Sequence, residues 1–332
     1  MQRFRSNFDI SDEHRYLIDF SNIRDGLIAN SNHSFCNNSE YVNYKKNQYL
    51  GIPMLLPYGL EQFNYYKNDY FTITKDDIAS DIFSLNNSNY IGVKLFTYHG
   101  ERYSSYAEPK DKYLPFINWV SQVNEKCKLL VNEIKSSGKT VCSFQTRNIP
   151  HYGHERIIEE ALKKCDYVVI NPIIGLKKKG DFKYEVIEKS FSYLIDNFYD
   201  ERVIYSPIIA NMFYAGPREA CHHALLRQNI GFTHFIVGRD HAGAEGAYNS
   251  NEAFNLLSNN SYSIAIMALK GAYYCKKAKK AIIKDVDSYY EENITNISGS
   301  EFRDCIISKD NYKYARPELQ SYIKTLKGDL FE

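Results

Sequence analysis

Apolar runs separated by polar turn residues predict two regions of different secondary structure in this chain. In the N-terminal part, short runs such as Tyr49–Pro57 and Tyr90–Tyr98 lie between Asn, Asp and Gly residues, which is typical of short strands joined by turns. From Tyr113 onward the spacing becomes helical over Leu114–Ile134, and a Ser-Ser-Gly sequence then ends that helix. The pattern therefore predicts a β-rich first part and a second part that begins with a helix.

The second part contains a strand–helix–strand pattern. Apolar runs at Thr140–Phe144 and Tyr167–Ile170 predict two buried strands on either side of a helical segment. The apolar face of that helical segment carries Ile157, Ile158, Ala161, Leu162 and Cys165. Because a helix that connects two strands of one sheet usually leaves them parallel, this unit predicts a parallel α/β sheet.

Two more helices and another strand are predicted closer to the C-terminus. A helix begins at Pro217, a favourable residue for a first helical turn, and ends before Gly231. The run His234–Val237 predicts a strand directly after it. The last helix spans Pro317–Lys327 and ends at Gly328.

These elements predict an α/β protein with two domains. Residues 1–112 form a β-rich domain, and residues 113–332 form the parallel α/β domain, with residues 275–332 as a small C-terminal subregion. The boundary is expected in the charged segment Glu101–Lys112.

Charge and cysteine usage narrow the classes of protein that this chain can belong to. The 332 residues carry 41 Lys plus Arg against 40 Asp plus Glu, so no overall field would hold the chain on nucleic acid or on an anionic membrane. The seven cysteines are scattered and never spaced as Cys-x-x-Cys, and the apolar run Ile264–Leu269 is too short to span a bilayer. No apolar stretch of a secretory signal follows the basic start. We therefore expect a cytoplasmic protein with reduced, mostly buried thiols.

The most distinctive polar segment follows the first predicted parallel strand. Gln145–His154 has the sequence Gln-Thr-Arg-Asn-Ile-Pro-His-Tyr-Gly-His. It lies where a strand ends and a helix begins, and at such ends free N–H groups and the helix dipole attract phosphate. His151 and His154 can reach neighbouring oxygens of a polyphosphate, and Gly153 lets the backbone approach it. A helix cap or a surface histidine is the alternative interpretation, and zinc binding lacks a third ligand at suitable spacing.

A second polar run, Gly238–Gly243, also follows a predicted strand. Alone it would be interpreted as a solvated loop. Two such runs after strands of one parallel sheet open on the same edge of that sheet, which favours a shared ligand site.

Two further segments carry charged residues near the predicted strand ends. Tyr214–Glu219 places Arg218 and Glu219 in a first helical turn, either as a surface ion pair of little energetic value or as an anion contact. Asn171–Asp181 is a basic loop, for which a solvated charge run is the usual outcome.

Taken together, these segments closely resemble the ATP sulfurylase family, part of the nucleotidylyltransferase superfamily that shares the His-x-Gly-His motif. Six ordered motifs of that family match this chain over roughly 170 residues, far more than short patterns produce by chance. They are Gln145–His154, Asn171–Asp181, Ala215–Ala220, Thr233–Gly243, Ser298–Arg303 and Arg316–Glu318. The resemblance implies a Rossmann-like nucleotidylyltransferase catalytic domain with a parallel sheet, preceded by a β-rich, PUA-like N-terminal domain.

The resemblance also implies a role for each matching position. Sulfate would be held by Gln145, Arg147 and the backbone N–H of Ala242. The catalytic residues would be Thr146, Arg147, Asn148, His151 and His154. ATP would be bound by Gln145, Asn148, His154, Gly238, Arg239, Asp240 and His241, with support from Lys178, Arg218, Ser300 and Arg303. Magnesium would arrive as MgATP, without a protein cage of its own.

At four places the chain departs from the family pattern. Ile149 stands where proline is usual, which loosens the turn, and Phe213 stands where arginine is common, which removes a cation. The loop Ala244–Ser250 is altered. Only Cys275 remains of the cysteine-rich zinc knuckle that many bacterial members carry, so we expect no zinc.

The leading functional hypothesis is a sulfate adenylyltransferase, in which sulfate attacks the α-phosphorus of ATP directly and in line, giving adenylyl sulfate (APS) and pyrophosphate. One alternative is a nucleotidylyltransferase of the same fold that uses a different oxyanion or nucleotide. Another is an inactive nucleotide-binding assembly subunit. The 29 tyrosines, of which 12 lie in residues 1–112, are compatible with ordinary packing or with a subunit contact, and we expect a homodimer.

Overall fold

The computed structural model describes residues 8, 10–11, 14–28, 34–35, 55–59, 80–85, 88–96, 111–177, 180–212, 217–238, 241, 252–258, 262–288 and 293–332. Its N-terminal part comprises one helix and four strands: α1 (Arg15–Arg24), β1 (Ser34–Phe35), β2 (Leu55–Gly59), β3 (Ser80–Leu85) and β4 (Ser88–Phe96). Strand β4 pairs antiparallel with each of the other three. The predicted runs Tyr49–Pro57 and Tyr90–Tyr98 thus overlap real strands, whereas the predicted boundary segment lies almost wholly outside the described residues.

The middle of the chain alternates strands and helices. In chain order these elements are α2 (Leu114–Ser136), β5 (Val141–Phe144), α3 (Tyr152–Leu162), β6 (Tyr167–Ile170), β7 (Ile173–Ile174), α4 (Tyr184–Phe198), β8 (Val203–Tyr205), β9 (Ile208–Ile209), α5 (Pro217–Ile230), β10 (His234–Gly238), α6 (Glu252–Ser258) and β11 (Ala265–Leu269). The predicted helices and strands of this region are confirmed to within two residues at each end, except that Cys165 lies beyond the end of α3.

Five of these strands form one parallel sheet in the order β11-β10-β5-β6-β8. The chain starts in the centre at β5, adds β6 and β8 on one side, and then crosses back to add β10 and β11 on the other. This is the strand order of a Rossmann-type sheet, and it reverses between β5 and β10. The prediction of a parallel α/β sheet is therefore confirmed.

Alternate residues of the sheet strands face two separate hydrophobic cores, as the two-residue period of a strand requires. Val141 and Val169 belong to the core beneath α1, α2 and α5, while Cys142 and Val168 belong to the core beneath α3 and α4. With both faces covered by helices, the strands are apolar at nearly every position.

Helix α1 packs on α2 through a small polar layer inside the first core. Asn124 donates to the side-chain oxygen of Asn22 over 2.7 Å, and both side-chain amides donate to the carbonyl oxygen of Ile209. Because Leu17 and Ile18 are fully buried in the same core, residues 15–28 pack with the α/β part of the chain.

The C-terminal region adds a small antiparallel sheet and two helices beside α3. It consists of β12 (Ala272–Cys275), β13 (Lys280–Ile283), β14 (Ile294–Asn296), α7 (Gly299–Ile307) and α8 (Pro317–Thr325), with β12 in the centre of its sheet. Helix α8 ends at Thr325, two residues before the predicted end of this helix at Lys327. Polar contacts attach this region to α3: Tyr152 donates its backbone N–H to the carbonyl of Tyr314 over 2.9 Å, Arg316 contacts Glu155 over 2.7 Å, and Arg156 contacts Asp287 over 2.8 Å.

Most cysteines are core residues, as predicted. Cys127, Cys142, Cys165, Cys221 and Cys275 are buried, and Cys305 is partly exposed, while Cys36 lies outside the described residues. Burial raises the pKa of Cys127 to about 11, so this thiol stays protonated and unreactive near neutral pH.

Candidate functional site

The two polar segments predicted to share a ligand site meet at the point where the strand order reverses. Strands β5 and β10 are neighbours, with His234 opposite Cys142 and Phe235 opposite Ser143, so their carboxyl ends lie side by side. Gln145 begins immediately after β5, and Gly238 is the last residue of β10. In open α/β sheets, ligands bind in the crevice at this point.

The turn after β5 is closed by its own side chains. Thr146 Oγ1 accepts a hydrogen bond from the backbone N–H of Asn148 over 3.1 Å and lies 3.3 Å from His154 Nε2. Ile149, which replaces the usual proline, is fully buried in the core beneath α3. Apolar burial therefore anchors the turn at the position where a proline would have restricted the backbone.

His151 and His154 form a stacked pair at the start of α3. His151 is the N-cap residue of this helix, and its Nδ1 accepts from the backbone N–H of His154 over 3.3 Å. The two rings stack with centroids 3.7 Å apart, and both side chains are buried. The helix cap, given above as an alternative to the histidine pair, is thus made by one member of that pair.

Burial makes both histidines neutral. It lowers the pKa of His151 to about 4, and burial together with the nearby His151 holds the pKa of His154 well below its usual range. As neutral imidazoles, the two side chains can each donate one N–H to a phosphate oxygen.

Gly153 has a packing role that its sequence position did not reveal. A Cβ at this residue would lie 3.0 Å from His151 Cε1 and 3.1 Å from the Cβ of Ala272. The missing side chain therefore leaves room for the ring of His151 and for the C-terminal sheet.

The stability of the protein at acid pH should depend on these buried, neutral imidazoles. The unfolded chain takes up a proton on each histidine near pH 6.5, whereas His151 in the folded chain stays neutral down to about pH 4. The free energy of unfolding should therefore fall as pH falls through this window, by about 2 kcal/mol for His151 near pH 5. His151→Asn keeps a capping acceptor but cannot titrate, so urea unfolding from pH 7 to pH 5 should show a shallower pH dependence. An unchanged slope in this variant would contradict the neutral state of His151.

Gln145 and Arg147, the predicted sulfate ligands, lie on the same turn with different exposure. Gln145 Oε1 is buried, and its amide nitrogen lies 3.8 Å from the sulfur of Met212. The Arg147 side chain is about one-third exposed, with Nη1 3.9 Å from Asp181 Oδ2. The guanidinium is therefore accessible to an anion while a carboxylate lies at its side.

Asp181 joins the basic loop to the site and was not predicted to do so. Its side chain is buried, and Arg303 Nη1 donates to its Oδ1 over 2.6 Å while also contacting the carbonyl of Gly180. Arg303 Nη2 lies 3.4 Å from Ser300 Oγ. The predicted supporting residues Ser300 and Arg303 thus reach the surroundings of Arg147 through Asp181.

The predicted solvated charge run is wrong for the end of this loop. Residues 180–183 pair with residues 330–332 through three backbone hydrogen bonds, and Lys177 donates to the carbonyl of Phe182 over 2.9 Å. Burial lowers the pKa of Lys177 to about 8. Lys178, predicted as a supporting cation, lies outside the described residues.

Helix α7 approaches the site through a glycine. A Cβ at Gly299, the first residue of α7, would lie 2.6 Å from the side-chain nitrogen of Asn148. Ser298 caps this helix by accepting from the backbone N–H of Glu301 over 3.2 Å. The Ser298–Arg303 motif therefore begins a helix with a residue that has no side chain, and this glycine lies against Asn148, a predicted catalytic residue.

Gly299→Ala should displace Asn148 without unfolding the protein, because the clash involves the end of one movable side chain. We expect turnover to fall about tenfold with a melting temperature close to that of the wild type. Steady-state kinetics and thermal unfolding check this, with Ser308→Ala at the exposed end of the same helix as the matched control. Unchanged turnover in Gly299→Ala would show that Asn148 does not need its observed position.

Part of the predicted nucleotide loop lies outside the described residues. Gly238 ends β10, and a Cβ there would have no neighbour within 4 Å among the described residues. His241 lies with its Nε2 3.0 Å from His223 Nδ1 of α5. Arg239, Asp240 and Ala242 are not described, and neither is the side chain of Arg218, although its backbone lies in the first turn of α5.

The surface-pair alternative for the first turn of α5 is wrong for Glu219. This carboxylate is 2% exposed, and its Oε1 lies 3.3 Å from His223 Nε2. One turn further on, Arg227 is fully buried, donating to both the side-chain and backbone oxygens of Asn171. The sequence placed Arg218 and Glu219 in the first turn of α5, but nothing in it indicated that Glu219, His223 and Arg227 are buried.

Two absences concern only the part of the chain that the structure describes. No three His, Cys, Asp or Glu side chains there lie close enough together to hold a metal ion. Within those same ranges, no helix is both long and apolar enough to cross a membrane.

A sequence model of the ATP-sulfurylase family matches residues 124–322 of this chain. Three curated relatives are each named sulfate adenylyltransferase. The protein of Pyrococcus abyssi is 35% identical over 270 residues, covering 80% of this chain and 70% of the relative. That of Ignicoccus hospitalis is 43% identical over 171 residues, covering 51% of this chain and 45% of the relative. That of Persephonella marina is 30% identical over 305 residues, covering 84% of this chain and 79% of the relative.

A solved structure shares the fold. The hexameric APS kinase from Thiobacillus denitrificans superposes with a TM-score of 0.56 at 13% sequence identity, covering 95% of this chain and 61% of that one. At this identity the similarity concerns the fold alone.

Proposed function

Because this chain belongs to the ATP-sulfurylase family, we propose that it is a sulfate adenylyltransferase, which converts ATP and sulfate to adenylyl sulfate and pyrophosphate. The observation that carries the proposal is the meeting of the turn after β5 with the end of β10 where the strand order reverses. This crevice combines an accessible arginine, a buried amide and two neutral imidazoles. Such a set suits a polyanionic ligand pair better than an apolar substrate.

Sulfate binds at the first part of the turn in this proposal. Arg147 donates to it from the accessible side, the amide of Gln145 contacts it from the buried side, and the backbone N–H of Ala242 completes the set. Charge-assisted hydrogen bonds from a planar guanidinium are well suited to a tetrahedral oxyanion. Asp181 holds Arg147 close by without burying it.

ATP binds along the other side of the crevice. His151 and His154 donate to its phosphate oxygens, Thr146 and Asn148 fix the turn between the two substrates, and Gly238 to His241 contact the nucleotide. Ser300 and Arg303 support Arg147 through Asp181, and the proposal gives Lys178 and Arg218 the role of additional positive charge. Magnesium, carried in by the phosphates, neutralises part of their charge.

The reaction then needs positioning and charge neutralisation but no general base. A sulfate oxygen attacks the α-phosphorus in line, the new P–O bond forms, and the bond to the β-phosphate oxygen breaks, so that pyrophosphate leaves with the electron pair. Sulfate has no proton to lose near neutral pH. The residues therefore act by holding two anions together and stabilising the extra charge of the transition state.

A panel of oxyanions and nucleotides separates this proposal from transfer to a different acceptor. Phe213 and Ala244–Ser250, which motivate the alternative, lie outside the described residues. We expect sulfate with ATP to give the highest kcat/KM among sulfate, molybdate, selenate and phosphate, and ATP to exceed GTP and CTP. A clear preference for another oxyanion or nucleotide would show that the same site uses a substrate other than sulfate or ATP.

Several features of the whole protein belong to the same proposal. We propose a PUA-like domain within residues 1–112, apart from residues 15–28, which pack with the α/β part, ahead of the catalytic domain in 113–332, together with a homodimer and a cytoplasmic location. Light scattering that gives the mass of one chain, 38.6 kDa, would remove the dimer.

A further inference from the structure

Residues 180–183 and 330–332 form a short antiparallel ladder beside Arg147, which we call the loop ladder. Its centre is the pairing of Phe182 with Phe331. Three backbone N–H groups donate across it: Gly180 to the carbonyl of Glu332 over 3.0 Å, Lys183 to that of Leu330 over 3.0 Å, and Glu332 to that of Asp181 over 2.9 Å. The backbone around Asp181 is therefore held by residues that are far away along the chain.

Apolar packing attaches the loop ladder to the core beneath α3 and α4. Phe182 is completely buried in this core, and Leu330 and Phe331 pack against it. The rings of Phe182 and Phe331 lie 4.8 Å apart between centroids. Lys177 also donates to the carbonyl of Phe182 over 2.9 Å. Because an aromatic ring buries a large apolar area, Phe331 should contribute most to keeping residues 330–332 in the ladder.

The side chain of Asp181 divides its two oxygens between two arginines. It is 3% exposed, its Oδ1 accepts from Arg303 Nη1 over 2.6 Å, and its Oδ2 lies 3.9 Å from Arg147 Nη1. Since the attraction between opposite charges weakens with distance, Arg303 neutralises more of the carboxylate than Arg147 does. The carboxylate can therefore orient the guanidinium of Arg147 and still leave most of its positive charge available to an anion.

Orientation before binding matters for a side chain such as Arg147. About one-third of this side chain is exposed, and a long, partly exposed side chain adopts many rotamers. An anion that needs one of these rotamers binds more weakly, because binding must then restrict the others. A fixed carboxylate beside the guanidinium restricts them in advance. The affinity for the anion therefore depends on the contacts that fix the carboxylate.

We infer that Asp181 and residues 330–332 are positioning residues for sulfate binding: the loop ladder fixes the Asp181 carboxylate, and this carboxylate orients the guanidinium of Arg147 before sulfate binds. The inference rests on the proposed function, which assigns Arg147 to sulfate and the pair His151 and His154 to the phosphates of ATP. Opening the loop ladder should therefore weaken the binding of sulfate and leave the binding of MgATP unchanged.

Three variants separate this role from general stabilisation. Phe331→Ala removes the ring that packs on Phe182, whereas Phe331→Leu keeps an apolar side chain at the same place. The matched control is Tyr322→Ala, which removes another ring–ring contact of the C-terminal region. The ring of Tyr322 in α8 stacks on that of Tyr193 in α4, with centroids 4.5 Å apart, away from the loop ladder.

Sulfate binding is measured at Arg147 itself, as the protection that sulfate gives this side chain against modification by phenylglyoxal. The full chain is labelled in the presence of Mg²⁺ and α,β-methylene ATP, whose bridging carbon prevents transfer, and the peptide that contains Arg147 is quantified by mass spectrometry. The sulfate concentration for half-protection should rise about tenfold in Phe331→Ala and less than about threefold in Phe331→Leu and Tyr322→Ala. The Kd of the ATP analogue without sulfate should be unchanged in all three.

Equal rises in the half-protecting sulfate concentration in Phe331→Ala and Tyr322→Ala, or no rise in either, would overturn the inference. So would a wild type in which sulfate does not protect Arg147. Because protection is measured without turnover, it is independent of the reaction. A wild type in which sulfate protects Arg147 but releases no pyrophosphate from ATP would contradict the proposed function and leave the comparison of variants valid.

A measurement on the unaltered protein covers the case in which Phe331→Ala does not fold. Coupling between two events is reciprocal, so sulfate must stabilise the loop ladder by the factor with which the ladder strengthens sulfate binding. With the ATP analogue present, saturating sulfate should slow hydrogen exchange at the N–H groups of Gly180, Lys183 and Glu332 about tenfold relative to sodium chloride of equal ionic strength. The N–H of Tyr199 at the end of α4 should not respond. Exchange at the ladder that sulfate leaves unchanged would overturn the inference.

Discussion

Arg147→Ala is expected to lower sulfate-dependent pyrophosphate release by about a hundredfold to a thousandfold. The guanidinium is the accessible cation of the turn after β5, with Nη1 3.9 Å from Asp181 and one-third of its side chain exposed. Two anions cannot approach each other without such a group, since sulfate and the α-phosphate repel. The measurement is steady-state turnover with sulfate varied at saturating MgATP.

Two further variants make this prediction specific. Arg147→Lys keeps the charge but loses the planar fork, and its activity should lie between that of wild type and that of Arg147→Ala. Arg202→Ala removes an equally charged side chain that pairs with Asp200 just before β8, at the opposite edge of the sheet, and should leave turnover unchanged. If Arg147→Ala keeps near-wild-type kcat/KM for sulfate, the proposed sulfate site is wrong.

His154→Ala is expected to reduce kcat by about a hundredfold. Its ring stacks on His151 and lies 3.3 Å from Thr146 Oγ1, so its removal takes away a donor to the phosphates and loosens the catalytic turn. His154→Gln, which keeps an amide near the position of Nε2, should recover part of the loss. Single-turnover rates at saturating substrates distinguish this effect on chemistry from weaker binding.

The matched control for this prediction is His234→Gln. His234 begins β10, at the amino edge of the same sheet, where its Nδ1 contacts Thr233 Oγ1 over 2.9 Å. This variant should retain full turnover. Equal losses in His154→Gln and His234→Gln would indicate general destabilisation rather than a contact with the phosphates.

The sequence predicts β5, β6 and β10 of the central sheet, where local patterns are clear, whereas the edge strands β8 and β11 were not predicted. Buried strands such as Tyr167–Ile170 are uniform apolar runs, and the helices between them have clear starts and ends at proline, serine and glycine. The position of the turn after β5 follows from these elements, since a polar run after a parallel strand must lie at the carboxyl edge. Strands β7 and β9 were not predicted because two-residue strands carry no period.

The buried polar groups could not be predicted, because tertiary contacts alone decide their burial. Helix α5 has polar residues on every side, so Glu219, His223 and Arg227 look like solvent-facing residues, although all three are buried, with His223 in contact with His241 and Arg227 in contact with Asn171. Asp181 likewise looks like the end of a charged loop. Its burial depends on Arg303 and residues 330–332, more than a hundred positions away along the chain.

The central claim is that this site joins sulfate to the α-phosphate of ATP, and one measurement tests it most directly. The purified full chain is incubated with MgATP and inorganic pyrophosphatase, with and without sulfate, while phosphate release and adenylyl sulfate are quantified together. The account predicts phosphate release that depends on sulfate, with two phosphates for each adenylyl sulfate because each pyrophosphate yields two. Phosphate release that is the same with and without sulfate, or that occurs without adenylyl sulfate, would contradict it.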